Sequence, residues 1–261
     1  MATALITGVS TGIGLAAARE LVARGWKVFG TVRRMEDAPQ LGSFFTPLVL
    51  DVTDRDGLRA MGERLAGESL QGLVNNAGIA VPGPLLELPE EDLRRQMEVN
   101  FFAPIAVTRE VWPLLGKGSR VVMVSSVSGK MGYPFLGAYA ASKHALEGAS
   151  ESLRRELLLQ GIDVILLCPG AIQTPIWKKA SFAKFMSGRF VGAIRKAEVE
   201  MSGMEERGLP VEDMGKLIAN ILSGPRPKPR YTPVPHKFLR WTLPRLLPER
   251  WLDRIILSKL R

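Results

Sequence analysis

The 261-residue chain is predicted to fold as one α/β domain of Rossmann type, a doubly wound parallel sheet with helices on both faces, followed by a basic helical tail. Three observations predict this. Short apolar runs alternate with amphipathic stretches almost throughout, the rhythm of parallel strands joined by crossover helices. A glycine-rich turn, Thr7-Gly8-Val9-Ser10-Thr11-Gly12-Ile13-Gly14, stands between the first apolar run and the first amphipathic stretch. The length suits one large core better than two small ones.

In chain order, strands are predicted at Thr3–Thr7, Lys27–Thr31, Thr46–Leu50, Gly72–Asn75, Arg120–Ser125 and Asp163–Leu167. Runs such as Val121-Val122-Met123-Val124 lack alternation, as strands buried on both faces do. Helices are predicted at Ile13–Arg24, Arg55–Leu65, Glu90–Leu115 with a break, Ala138–Gln160 and Val211–Leu222. Residues 177–208 interrupt the rhythm with Phe182, Phe185, Met186, Phe190 and Met201 among charges, and are expected to form a substrate lid or a plain surface hairpin. Five prolines between Gly224 and Pro235 exclude a helix there and leave Arg230–Val234 as an edge strand. The expected division is therefore a catalytic domain at 1–235 and a basic extension at 236–261.

Composition narrows the function. The apolar fraction of 46% and charged fraction of 23% are those of an ordinary globular protein, and no apolar run is long enough to span a bilayer. The N-terminus reads as a strand rather than an export signal, so a cytoplasmic protein is expected, with membrane-surface association through the tail as an addition. The single cysteine, Cys168, excludes an intrachain disulfide and reads as a small buried hydrophobe. No Cys/His/Asp spacing suggests a metal. The net charge of +9 is concentrated at the end, where residues 226–261 carry ten Lys or Arg and two acids.

The glycine turn carries the first chemical signal. Glycines let the backbone approach a pyrophosphate, and the N-terminus of the following helix offers N–H groups to it. At the end of the second strand an acid would bond the ribose of NAD, whereas arginine accommodates the extra phosphate of NADP. The sequence there is Val32-Arg33-Arg34, so NADP is expected over NAD, with Arg33 ahead of Arg34. The catalytic signal is Tyr139 four residues before Lys143, on one helical face, where an ammonium can make a phenol a better acid. Beside them stand Asn75-Asn76-Ala77-Gly78, Val124-Ser125-Ser126 and Pro169-Gly170, each after a predicted strand, where open α/β sheets bind ligands.

In these motifs the chain resembles the short-chain dehydrogenase/reductase family over about residues 1–235. The family's T-G-x3-G-x-G falls on Thr7, Gly8, Gly12 and Gly14, with Ser10, Thr11 and Ile13 in the same turn. N-N-A-G falls on Asn75, Asn76, Ala77 and Gly78, and Asp-Val on Asp51-Val52, whose carboxylate contacts adenine in such proteins. P-G-x3-T falls on Pro169, Gly170 and Thr174, with Ile172 between them. The resemblance implies four catalytic residues: Asn100, Ser126, Tyr139 and Lys143. Ser126 would bond the carbonyl oxygen, Tyr139 exchange its proton, Lys143 hold the nicotinamide ribose, and Asn100 hold a water that relays protons. Ser125 and Ser128 compete with Ser126, and the family's spacing decides for the last. The resemblance also implies a homodimer or homotetramer, built in this family on the helix that carries Tyr139.

The expected activity is interconversion of a ketone or aldehyde and an alcohol with NADP(H). An apolar steroid-, retinoid- or fatty-chain-like substrate is expected from Phe135, Trp177, Phe182, Phe185, Phe238 and Trp241, which could wall a pocket. Two other classes stay open: a non-catalytic NADP-sensing regulator, and a peripheral membrane protein acting through residues 236–261. The tail's Trp251, Leu252, Ile255, Ile256 and Leu260 share one helical face and can pack on protein or lie on a bilayer. Its aromatics do not interleave with its bases, which disfavours nucleic acid.

Overall fold

The computed structural model describes residues 1–177 and 181–260, apart from the side chains of 204–206. The elements are β1 (Thr3–Ile6), α1 (Gly12–Ala23), β2 (Lys27–Val32), β3 (Phe45–Val49), α2 (Arg55–Arg64), β4 (Leu70–Asn75), α3 (Glu90–Met97), α4 (Ala103–Val111), β5 (Leu115–Val124), α5 (Gly137–Leu158), β6 (Asp163–Leu167), α6 (Val191–Glu206), α7 (Val211–Ser223), β7 (Arg230–Tyr231), α8 (Leu243–Leu246) and α9 (Glu249–Leu260). The strands form one sheet in the order β3-β2-β1-β4-β5-β6-β7, parallel throughout. Strand order reverses between β1 and β4, opening a crevice beyond their carboxyl ends.

Both sheet faces are buried, which explains the unbroken apolar runs. Leu5, Leu73, Val121, Met123 and Leu166 pack with Leu58 and Met61 of α2, Val107 and Val111 of α4, and Leu146 of α5. Their neighbours Ala4, Ile6, Val74, Val122, Val124 and Leu167 pack on the other face against Ala17 and Leu21 of α1 and Ile218 and Ile221 of α7. Successive strand residues point to opposite faces, so neither core can be lost without unfolding the sheet.

Three elements differ from the sequence expectation. The long helix over 90–115 is broken by a π-helical turn at Glu98–Phe102, between α3 and α4. Pro104 lies four residues after Asn100 and has no N–H to give that carbonyl, which is where the regular ladder fails. The edge strand is two residues long rather than five, because Pro229 and Pro233 flank it and donate nothing to a ladder. β5 begins earlier than expected, at Leu115, and reaches β4 through a register shift between Leu70 and Gly72.

The insertion forms a satellite core of its own. Phe182, Phe185, Ile194 and Met201 pack with Leu136, flanked by Tyr133, Phe135 and Trp177. Residues 178–180 of the expected lid, and residue 261 of the tail, lie outside the described residues. In the tail, α9 divides its apolar residues: Leu252, Ile256 and Leu260 are half-buried, whereas Trp251 and Ile255 are exposed. Among the described residues no helix is long and apolar enough to cross a membrane.

Candidate active site

The crevice at the strand ends is a cavity of about 990 Å³. Its floor is the glycine turn. Gly8 and Gly12 have φ of 72° and 62°, a region costly for residues with a Cβ. The turn is braced from β4: Asn76 Nδ2 donates to the carbonyls of Thr7 and Gly8, each at 2.9 Å, while Thr7 Oγ1 accepts the backbone N–H of Asn76 and Ala77. A Cβ on Gly14 would collide with the Gly8 carbonyl and Asn76 Nδ2, so this glycine seats α1 against the turn rather than lining the cavity. Replacing Gly14 with Ala is therefore expected to cost about 1–3 kcal/mol and to weaken coenzyme binding, read by thermal melting and by titration.

The cavity is also lined by Ser10, Thr11, Ile13, Arg33, Asp51, Val52, Ala77, Gly78, Pro169, Gly170, Ile172 and Thr174. Arg33 is exposed at the rim beyond β2, whereas Arg34 turns out and pairs with Asp37 at 3.0 Å. Asp51 accepts from the backbone N–H and hydroxyl of Thr53; that backbone bond, aided by Arg33 and Arg95, holds its carboxyl below the usual value. Glycines at the point of closest approach, a free helix N-terminus and a cation at the far rim suit a dinucleotide carrying an extra phosphate.

α5 presents Tyr139 and Lys143 to the other end. Both are buried, and both line the cavity together with Ser126. Burial raises the Tyr139 phenol above its ordinary value, and its hydrogen bond with Ser126 opposes that shift. Burial lowers Lys143 to about 8, with Cys168 and Glu147 opposing. Lys143 Nζ donates to the Val124 carbonyl at 2.9 Å and stands 5.8 Å from the Tyr139 ring centre. The three serines are separated by their partners. Ser125 Oγ donates to Glu147 and Ser128 N donates to Ser126 Oγ, which leaves Ser126 beside the phenol.

Asn100 sits in the π-helical turn, fully buried behind Gly78 rather than on the cavity wall. Its Oδ1 accepts from Ile79 N at 2.9 Å, and its Nδ2 donates to Ile79 O and Ser142 Oγ. His144 bonds the Ala140 carbonyl within its own helix.

The aromatic wall is smaller than the sequence suggests. Trp177 and Phe185 line the cavity, and Trp177 meets the Tyr139 ring edge-on at 5.6 Å. Phe135, Phe182, Phe238 and Trp241 do not line it: Phe182 is consumed by the satellite core, Phe238 is exposed, and Trp241 is buried with Arg245 over its ring. Sequence reasoning missed Arg95, Asp92 and Lys184, which also line the cavity. Lys184 reaches across from the insertion to pair with Asp92 of α3 at 3.1 Å. In the sequence, Asp92 and Arg95 lie in the charged run Glu90-Glu91-Asp92-Leu93-Arg94-Arg95 and look like any solvated helix face.

Comparison with known proteins agrees with this architecture. The family described as short chain dehydrogenase matches residues 2–184. An NADPH-dependent 3-dehydrocapnine reductase of Ornithobacterium rhinotracheale is 37% identical, over 100% of this chain and 98% of its own. A 3-ketodihydrosphingosine reductase of Bacteroides thetaiotaomicron is 32% identical, over 85% of this chain and 84% of its own. The crystal structure of a short-chain dehydrogenase from Streptomyces avermitilis superposes with a TM-score of 0.78 at 28% identity, covering 97% of this chain and 95% of that one. With a buried tyrosine and lysine one helical turn apart at the mouth of a parallel sheet, this chain belongs to the short-chain dehydrogenase family and is an oxidoreductase.

Proposed function

We propose that the protein reduces a ketone on an apolar, fatty-chain-like substrate with NADPH, or oxidises the corresponding alcohol with NADP. One observation carries the reading: a buried phenol beside Ser126 and one helical turn from a buried lysine, all three lining a dinucleotide-sized cavity. Bound NADPH supplies the hydride. The glycine turn and the α1 N-terminus bind its diphosphate, Arg33 its extra phosphate, and Lys143 the hydroxyls of the ribose nearest the reaction. Ser126 donates to the carbonyl oxygen and Tyr139 delivers the proton to it. The Asn100 carbonyl, to which Pro104 cannot donate, is read as the holder of a water leading from Lys143 to solvent, while the Asn100 amide pins Ile79.

The substrate class rests on Trp177 and Phe185 in the cavity wall and on the name of the Bacteroides relative, a 3-ketodihydrosphingosine reductase. The insertion is read as the lid, because it contributes Phe185 and Lys184 to the wall and is held to α3 by the Lys184–Asp92 pair. A panel of long-chain ketones and alcohols with NADPH, NADP, NADH and NAD, followed by coenzyme absorbance, tests the proposal. Turnover is expected with an apolar carbonyl and NADPH. Tight NADPH binding with no turnover on any carbonyl or alcohol would instead make the protein a coenzyme sensor.

A second reading concerns the tail. Leu239, Leu243 and Leu246 are exposed at helical spacing, as are Trp251 and Ile255, with Arg240, Arg245, Arg250 and Arg254 beside them. Such a surface suits an anionic bilayer. Full-length protein is expected to sediment with anionic vesicles, and a chain ending at Val234 to stay in the supernatant. A homodimer or homotetramer through α5 is the expected assembly, checked by light scattering.

A further inference from the structure

α5 does more than deliver two residues to the cavity; its inner face is tied to the end of β5 rung by rung. Tyr139 stands beside Ser126, Lys143 Nζ donates to the Val124 carbonyl, and Glu147, one turn further on, accepts from Ser125 Oγ at 3.1 Å. The first two rungs belong to the proposed reaction. The third is a carboxylate with 1% of its side chain exposed, and a buried charge persists only where it is paired.

Its partners come from four elements. Arg230 of β7 donates to Glu147 Oε2 at 2.7 Å, and Lys130, after the turn that follows β5, approaches the same oxygen at 3.4 Å. Cys168, after β6, donates to Oε1 at 3.4 Å, and Ser125 of the β5 end shares that oxygen. Glu151, on the same helix, shares Arg230 at 3.1 Å and Lys130 at 3.8 Å. The fit is close: a Cβ on Gly129 would collide with Glu147 Oε1. The turn that follows Ser126 is thus pressed against this carboxylate, and the carboxylate is clamped from outside by the C-terminal edge strand.

We propose that Glu147, clamped by Arg230, is a positioning residue: it sets Ser126 against Tyr139 through Ser125 and the 127–129 turn, and its carboxylate acts on Lys143 one helical turn away. The proposal rests on the catalytic reading of Ser126, Tyr139 and Lys143 given above. Geometry supports the first part through the Ser125 bond. The second follows from charge: a carboxylate one helical turn from a buried ammonium stabilises it, whereas burial pulls Lys143 down to about 8. Arg230 thereby links the end of the chain to the reaction, since β7 exists only because the segment after α7 returns to pair with β6.

The test compares full-length wild type, Glu147→Gln, and the double variant Glu147→Gln/Arg230→Gln, which restores a neutral, hydrogen-bonding pair. Each is measured for melting temperature, NADPH affinity, kcat, and the pH midpoint at which acetic anhydride labels Lys143, read by mass spectrometry. In Glu147→Gln we expect NADPH affinity within about threefold of wild type, kcat lower by about tenfold or more, and the Lys143 midpoint lower by about half a unit. The double variant is expected to recover melting temperature but neither kcat nor the midpoint. Recovery of kcat together with melting temperature would reduce Glu147 to a packing residue and overturn the proposal, as would an unchanged Lys143 midpoint in Glu147→Gln. The labelling arm needs no turnover. If wild type turns over no carbonyl, the proposed function fails while the midpoint still decides whether Glu147 controls Lys143.

Discussion

Replacing Tyr139 with Phe is expected to lower kcat for carbonyl reduction by about 10²–10⁴-fold while leaving NADPH affinity within a few-fold of wild type. The ring stays, so its edge contact with Trp177 at 5.6 Å and the packing of α5 are retained. Only the hydroxyl beside Ser126 is removed. Steady-state kinetics with coenzyme titration checks this, and a Phe variant retaining wild-type kcat would leave the proposed mechanism without its proton donor. The pH profile adds a second expectation. Burial places Lys143 at about 8 and Tyr139 above its ordinary value. Reduction is therefore expected to fall as pH rises through about 8, where Lys143 loses its proton and its charge no longer favours the phenolate left by proton transfer. An ammonium with a lowered pKa is charged only below that lowered value, so the active form lies on the acid side of this limb.

Reversing the charge at Arg33 is expected to have the second largest effect. Arg33 lines the rim beyond β2, and among the residues lining the cavity near Asp51 it is joined by Arg95. A charge-assisted bond to phosphate contributes roughly 1.5–3 kcal/mol, so Arg33→Ala should raise the KM for NADPH by about 10–100-fold, and Arg33→Asp by more, with little change in kcat. The KM for NADH should change far less, because that coenzyme has no phosphate at this position. The ratio of kcat/KM values for the two coenzymes is the measurement. An Arg33→Asp enzyme that still prefers NADPH would transfer the phosphate-binding role to Arg95, which the same assay on Arg95→Ala would show. Arg34 serves as the control: it does not line the cavity and already pairs with Asp37, so its loss should leave the ratio unchanged.

The strands and the glycine turn were legible because their signals are local. A strand buried on both faces must be a continuous apolar run, and a backbone that turns at φ of 72° and 62° excludes most side chains. That the helix over 90–115 breaks was also legible, but neither the place of the break after Met97 nor its form as a π-helical turn was. The aromatic wall was misread for the opposite reason. Phe182, Phe185 and Trp177 have the same composition signal, yet Phe182 lies wholly in the satellite core, Phe185 belongs to that core and also lines the cavity, and Trp177 lines the cavity. Which way each points depends on Leu136, Ile194 and Met201, up to dozens of residues away in the chain.

By itself the amino-acid sequence determined the class of fold, the glycine turn, and the pairing of Tyr139 with Lys143, because each follows from spacing along one strand, turn or helix. Only the tertiary structure decided that Ser125 is taken up by Glu147, that Gly14 seats a helix instead of lining the cavity, and that Glu147 meets Arg230 across 83 residues of chain. The physical reason is common to all three. Burial makes a polar group take a partner, and the partner available is set by which elements the sheet order brings side by side, information that no local window of residues contains.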